Sequence, residues 1–384
     1  MAASPVIASG RDIRLDLFRG LALWFIFVDH IPTNVVSWLT VRNYGFSDAT
    51  EIFVFISGYT AVIAYARMME REGWVRAAAR IYRRVWQLYV AHILLFVAFT
   101  AQVAWVSIAR DTPSLIEEME LLGFGQNPYQ AILEAALLKF RPVNLDVLPL
   151  YIVLLAVFPF ALPAIVRWPL AVIAVSLGLY GVTSHYSWNL PAYPDGKVWY
   201  FNPMAWQVVF YVGACCAVLG KELAWLDRWR WPLAVLAILY LLFSGFIALS
   251  WHYNPIERLV PAWVARVIYP IDKTNIDILR FMHFLAMAWL VRLAVPADAP
   301  FLKWRMFEPF RRCGEQSLLI FCLGTFLALS GQVIVGHFEE SLLSQIGVSV
   351  GGIVIMCCAA YVAAWFKGGG PTKGRTPTMA GATP

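Results

Sequence analysis

Asp29 and His30 are adjacent within an apolar run, and Arg19 precedes them in the same run. Ionisable groups placed this way are expensive to bury in hydrocarbon and by default mark a polar cavity with a function. A histidine with an ordinary pKa of about 6.5 can take a proton from a hydroxyl near neutral pH, the act of a general base. A carboxylate close by would favour the imidazolium that results, which makes Asp29 a second candidate at the same centre. On a helix, positions 19 and 30 lie close to one face and roughly 16 Å apart along the axis. Asp29 is rotated about 100° from His30, so it meets the ring through a bent contact or turns towards a neighbouring helix. The competing reading of His30 is a hydrogen-bonded structural residue near the membrane surface.

Other polar groups fall at the same depth. Asp48 and Glu51 open the next apolar run three residues apart, where they read both as an N-terminal helix cap and as neighbours of a site. Asp277, Arg280 and His283 recur at intervals of three and share a face. Asp146, Tyr151, Asn202, Trp206 and Gln207 add polar atoms at the ends of two further runs. Together they imply a polar cavity opening on one side of a membrane. No zinc-type ligand spacing, Gly-rich phosphate loop or Gly-x-Ser-x-Gly elbow is present, so no metal is expected. The six cysteines lie in or beside apolar runs and read as small packing residues.

The elements that must position these groups are transmembrane helices. The 384 residues are 60% hydrophobic and 14% charged, with a mean hydropathy of +0.65, whereas soluble domains carry about 25% charged residues. The apolar runs are continuous and lack strand alternation, which points to an all-α polytopic bundle and not a barrel. Ten spans are expected, near 17–36, 49–66, 85–108, 148–166, 168–184, 203–220, 231–250, 280–295, 316–335 and 346–366. Arginine and lysine concentrate in alternate connections, which predicts both termini in the cytoplasm. Residues 1–366 then form one integral-membrane domain, and 367–384 a disordered cytoplasmic tail. The first ten residues do not read as a signal peptide, so the first helix is expected to be retained.

Residues 67–84 read as a basic amphipathic surface helix for anionic headgroups, with Arg83 and Arg84 also able to meet an anionic cytosolic ligand. An amphipathic helix is expected around 113–139 in the long connection 109–147. The connections 185–204 and 251–279 are rich in Trp, Tyr and Pro. They read either as interfacial belts or as flat platforms for sugar rings.

Several ordered stretches resemble a known family. They are Arg14-Leu15-Asp16-x-x-Arg19-Gly20, Asp29-His30, Ser47-Asp48-Ala49-x-Glu51-Ile52-Phe53-Val54-Phe55, Val147-Leu148-Pro149-Leu150-Tyr151, Phe201-Asn202-Pro203-x-Ala205-Trp206-Gln207 and Cys313-Gly314-x-x-Ser317-Leu318-Leu319-x-Phe321. The set resembles the acyltransferase 3 superfamily and, within it, the OpgC-type succinyltransferases of osmoregulated periplasmic glucans. The resemblance implies a multi-pass enzyme of the bacterial cytoplasmic (inner) membrane. It implies succinyl-CoA as cytosolic donor, a periplasmic glucan as acceptor and His30 as the base on the attacking hydroxyl. Arg14, Arg19, Arg83 and Arg84 suit the CoA phosphates, since guanidinium forks match phosphate geometry. Lys273 or Arg280 is expected, on charge alone, to hold the distal carboxylate of the succinyl group. Partners are then glucan, acyl-CoA and membrane lipids, with no nucleic acid; a homo-oligomer is compatible with the sequence. A transporter of an acyl group or glycan through the same cavity is the alternative.

Overall fold

The structure, a computed structural model, describes residues 12–368 apart from residue 221. The first half holds α1 (Ile13–Asp29), α2 (Ala49–Glu72), α3 (Trp74–Ala109), α4 (Ser114–Glu118), α5 (Leu122–Gln126), α6 (Pro128–Ala136), α7 (Val147–Arg167) and α8 (Pro169–Tyr186). The second half holds α9 (Pro203–Cys216), α10 (Arg230–Ser250), α11 (Asn254–Glu257), α12 (Ala262–Ile268), α13 (Ile278–Ala294), α14 (Glu308–Glu315), α15 (Ser317–His337) and α16 (Leu342–Gly368). Among the described residues there is no strand, only an isolated bridge between Pro191 and Val198. Seven segments, those of α2, α3, α7, α8, α10, α15 and α16, are long and apolar enough to cross a membrane. The other three long helices are shorter: α1 and α13 have 17 residues each and α9 has 14. The fold is the all-α membrane bundle expected. The expectations for the first ten residues and for the tail beyond residue 368 lie outside the described residues.

Lipid tails are as apolar as leucine, so helices in a membrane associate through close packing more than through burial of apolar area. Two glycine pairs provide that packing. A Cβ on Gly20 would sit 1.8 Å from the Phe310 carbonyl oxygen, and one on Gly314 would sit 1.9 Å from that of Asp16, so α1 and α14 touch backbone to backbone. Gly58 and Gly213 do the same for α2 and α9, with 2.0 and 2.3 Å to the Phe210 and Phe55 carbonyl oxygens. Trp206 and Phe210 fill the middle of the core with no exposed surface.

In α7, Pro163 has no N–H for the carbonyl four residues back, that of Pro159. The Trp74 indole N–H takes that carbonyl at 2.8 Å and ties α3 to α7. The six cysteines are all free, and Trp24 Nε1 donates to Cys313 Sγ at 3.4 Å.

Three expected elements end elsewhere. The first helix was expected to reach residue 36 but stops at Asp29, leaving His30 as its C-terminal cap residue. Pro32 cannot continue the helical hydrogen bonding, and Thr33 adopts φ 55°, which turns the chain into two 3-10 segments, Val35–Leu39 and Val41–Tyr44. Residues 67–84 do not form a separate surface helix: Gly73, at φ 87°, splits them between α2 and the 36-residue α3. Their amphipathic character survives, with Ala77, Ala78 and Ile81 buried while Arg76, Arg80 and Arg83 face outwards. The helix expected around 113–139 is broken into α4, α5 and α6 by Glu120 at φ 57° and by Pro128, which opens α6.

Candidate active site

His30 sits where α1 gives way to the connection leading to α2. Its backbone N–H still donates to the Ile26 carbonyl at 3.1 Å. The half-buried ring has no hydrogen bond to Asp29, and its Nδ1 is buried without a partner among the described residues. Asp29 turns away, as its helical angle allows: its Oδ1 accepts from the Thr40 hydroxyl at 2.7 Å, and its carbonyl oxygen accepts from the Arg42 guanidinium at 2.7 Å. Asp29 therefore secures the connection that follows His30 and leaves the imidazole unclamped. The charges of Lys273, Asp48 and Arg42 act on the His30 ring through space.

The next layer is an ion network at the start of α2. Asp48 and Glu51 form a reciprocal capping box: Asp48 Oδ1 accepts from the Thr50 N–H at 2.8 Å, and Glu51 Oε2 accepts from the Asp48 N–H at 3.0 Å. Glu51, with no exposed surface, accepts through Oε1 from Arg280 Nε at 3.0 Å and from its terminal nitrogen at 2.6 Å. Asp48 Oδ2 accepts from Lys273 Nζ at 2.5 Å and from Arg280 at 3.2 Å. Charges taken this far from water persist only when paired and hydrogen-bonded, and here each of the four has an opposite charge in contact.

Lys273 and Arg280 are thus held by carboxylates of the protein. His283, one turn after Arg280, accepts at Nδ1 from the Ser47 N–H at 3.3 Å and meets the Ser47 hydroxyl at 2.6 Å. Its ring edge packs on Gly45, where a Cβ would come within 1.9 Å of Nε2. Asp277 caps α13 through the Leu279 N–H at 2.8 Å and takes no part in the network.

The segment before α13 is pinned by α9. Trp206 Nε1 donates to the Lys273 carbonyl at 3.0 Å, and Asn202 donates from its backbone N–H to the Thr274 carbonyl at 3.1 Å and from its amide to Asn275 Oδ1 at 2.8 Å. Asn202 and Trp206 therefore belong to the group around Lys273, as scaffolding. Two other expected cavity residues do not join it. Asp146 pairs with Arg141 at 2.8 Å, and that guanidinium lies 4.2 Å over the Trp199 ring. Gln207 exchanges hydrogen bonds with Ser176 of α8 at 2.6 and 2.8 Å.

Towards the other end of α1, Arg19 donates to Thr60 Oγ1 at 2.6 Å and to the Ile56 carbonyl at 3.4 Å, both on α2. Ser57 of α2 and Leu150, Tyr151 and Leu154 of α7 line a narrow apolar crevice with no room for a water molecule. The charges of Arg84 and Arg19 both reach the Tyr151 phenol. Arg84 is half-buried on α3, while Arg83 faces outwards. Arg14 is drawn away: it pairs with Asp12 at 2.7 Å and donates to the Val295 carbonyl at 3.0 Å.

Sequence reasoning missed three groups. Arg42 and Thr40 lie in a connection that was expected to begin only at residue 37, so their proximity to Asp29 was hidden by the misplaced end of α1. His92 on α3 is fully buried, with neither ring nitrogen bonded to an atom of the described residues. Its isolation in an apolar run was a visible signal of the same kind as that of His30. Among the described residues no cluster of potential ligands for a metal ion occurs.

No curated protein and no solved structure matches the chain. The family model described as OpgC protein matches residues 11–368, the whole of the helical bundle. The chain belongs to the OpgC family.

Proposed function

We propose that this protein is a transmembrane O-acyltransferase, moving a succinyl group from cytosolic succinyl-CoA to glucose hydroxyls of a periplasmic glucan. Membership of the OpgC family supports a membrane transferase acting in glucan modification. The observation that carries the catalytic reading is His30: a half-buried imidazole at the mouth of α1, with Nδ1 bonded to no atom of the described residues. A ring already committed to a protein donor or acceptor would have to break that contact before acting on substrate.

In the reaction His30 takes the proton of the acceptor hydroxyl as its oxygen attacks the thioester carbonyl carbon. The C–O bond forms, the C–S bond breaks, and the imidazolium returns the proton to the departing CoA sulfur. An ester and free CoA result. Arg19 and Arg84, towards the other end of the bundle, are the arginines best placed for CoA phosphates, with Arg83 on the outer face of the same helix. Arg14 is a strut between α1 and the end of α13 in this reading. Asp29 positions the connection, and the Asp48–Glu51–Lys273–Arg280 network holds α2 and α13 around the ring.

The test is to incubate protein purified in detergent with succinyl-CoA and β-glucan and to look for the ester by mass spectrometry. Detergent removes any separation of compartments, so product there requires covalent transfer. Folded protein that makes no ester in detergent, yet moves acyl groups or glycan across vesicle membranes, would establish the transporter instead.

A further inference from the structure

A donor with a free carboxylate at its distal end requires a cation near the reacting carbon, one whose own donors are not already taken. Two cations, Lys273 and Arg42, act on the His30 ring, and Arg280 joins Lys273 on Asp48. Arg280 gives Nε and a terminal nitrogen to Glu51 and also contacts Asp48. Lys273 is bonded to Asp48 at 2.5 Å, with Phe201 on another side, its ring centroid 5.5 Å from Nζ. Releasing Arg280 would leave the fully buried Glu51 without its cation, and Lys273 is held on Asp48, which it shares with Arg280.

Arg42 differs. Its side chain is exposed, and among the described residues its guanidinium makes one hydrogen bond, from a terminal nitrogen to the Asp29 carbonyl oxygen at 2.7 Å. A guanidinium has five N–H donors, so four are left for a ligand. The contact also fixes where it stands. The Asp29 carbonyl is the one joined to the His30 nitrogen, so Arg42 is anchored to the peptide link that carries the proposed base.

We propose that Arg42 is the specificity residue for the donor, receiving the distal carboxylate of a dicarboxylic acyl group while His30 serves the thioester end. This rests on the acyl-transfer reading above and replaces Lys273 and Arg280 in the role that charge alone suggested for them. The two carbonyl carbons of a succinyl group are three C–C bonds, about 4 Å, apart, a reach suited to neighbouring receptors for its two ends. The planar fork donates two parallel hydrogen bonds to a carboxylate, which a lysine cannot reproduce. An acetyl donor offers nothing to that fork, so Arg42 separates the two donors without touching the thioester.

The experiment is a competition between equimolar succinyl-CoA and acetyl-CoA, with purified protein, β-glucan and both esters quantified by mass spectrometry. Wild type is expected to favour succinyl. Arg42→Ala is expected to lower the succinyl-to-acetyl product ratio by about ten-fold or more, as loss of a charge-assisted contact requires. Arg42→Lys is expected to fall between the two. Gel filtration and thermal unfolding in detergent establish that each variant is folded.

A ratio unchanged in folded Arg42→Ala, or equal losses with both donors, overturns the assignment and leaves the acyl-transfer reading intact. Wild-type protein that makes the acetyl ester and no succinyl ester refutes the succinyl donor itself, and the role of Arg42 with it. Wild-type protein that makes neither ester refutes acyl transfer.

Discussion

At the scale of residues, the polar groups at this end of the bundle divide into those satisfied by the protein and those left open. Glu51 and Arg280 are the clearest members of the first class, a buried pair joined by two hydrogen bonds. Glu51→Gln is expected to destabilise the protein by about 3 kcal/mol, because Arg280 then keeps its charge in a buried site with only Asp48, shared with Lys273, as its opposite charge. Replacing both together, Glu51→Leu with Arg280→Met, is expected to recover much of that loss. Thermal unfolding in detergent checks it, and an unchanged midpoint for Glu51→Gln would show that the pair carries no structural weight.

Asp29 offers a subtler comparison. Asp29→Asn keeps an oxygen for the Thr40 hydroxyl and should retain most activity, whereas Asp29→Ala loses that tie and should lose more. Equal, near-complete loss of kcat in both would mean that the carboxylate charge serves the reaction directly. The types and depths of these residues were legible in the sequence, and the convergence of Asp48, Glu51, Arg280 and His283 followed from them. Which cation would meet which acid was not. Lys273 is brought to Asp48 across 225 positions of chain by a segment pinned on Asn202 and Trp206, and no local spacing encodes that.

At the scale of elements, apolar length and continuity located ten long helices, because a run of hydrophobic residues in lipid has few alternatives to a helix. Their ends were less legible. α1 stops at Asp29 for reasons carried by two or three residues, Pro32 and Thr33 above all, while the apolar run itself continues to residue 36. That difference matters, since it moves His30 from the interior of a helix to its mouth.

The close approach of α1 to α14 was also invisible until the two glycines were seen facing each other. Gly314→Val should push α1 off α14 and sharply reduce the yield of folded protein, because the new Cβ meets backbone that has nowhere to yield. Gly336→Ala, at a position where nothing lies within 4 Å, is the control and should be silent. Equal yields for the two would deny the crossing its role in placing the site.

At the scale of the molecule, the reading requires the His30 end of the bundle to face the periplasm and the Arg83–Arg84 end to face the cytosol. In a background without native cysteines, Glu340→Cys between α15 and α16 is expected to react with an impermeant thiol reagent in intact cells. Glu72→Cys at the turn between α2 and α3 is expected to react only after the cells are opened. The reverse pattern would invert the bundle and remove the route from cytosolic donor to external hydroxyl.

The claim on which the rest depends is that the imidazole of His30 performs the proton transfer. It is tested most directly by measuring succinyl ester formation by purified His30→Ala beside wild type and His337→Ala, a histidine exposed at the end of α15. The account predicts a loss of kcat of about 100-fold or more for His30→Ala in a protein that still unfolds at the wild-type temperature, with His337→Ala close to wild type. Turnover by folded His30→Ala within a few-fold of wild type would contradict it.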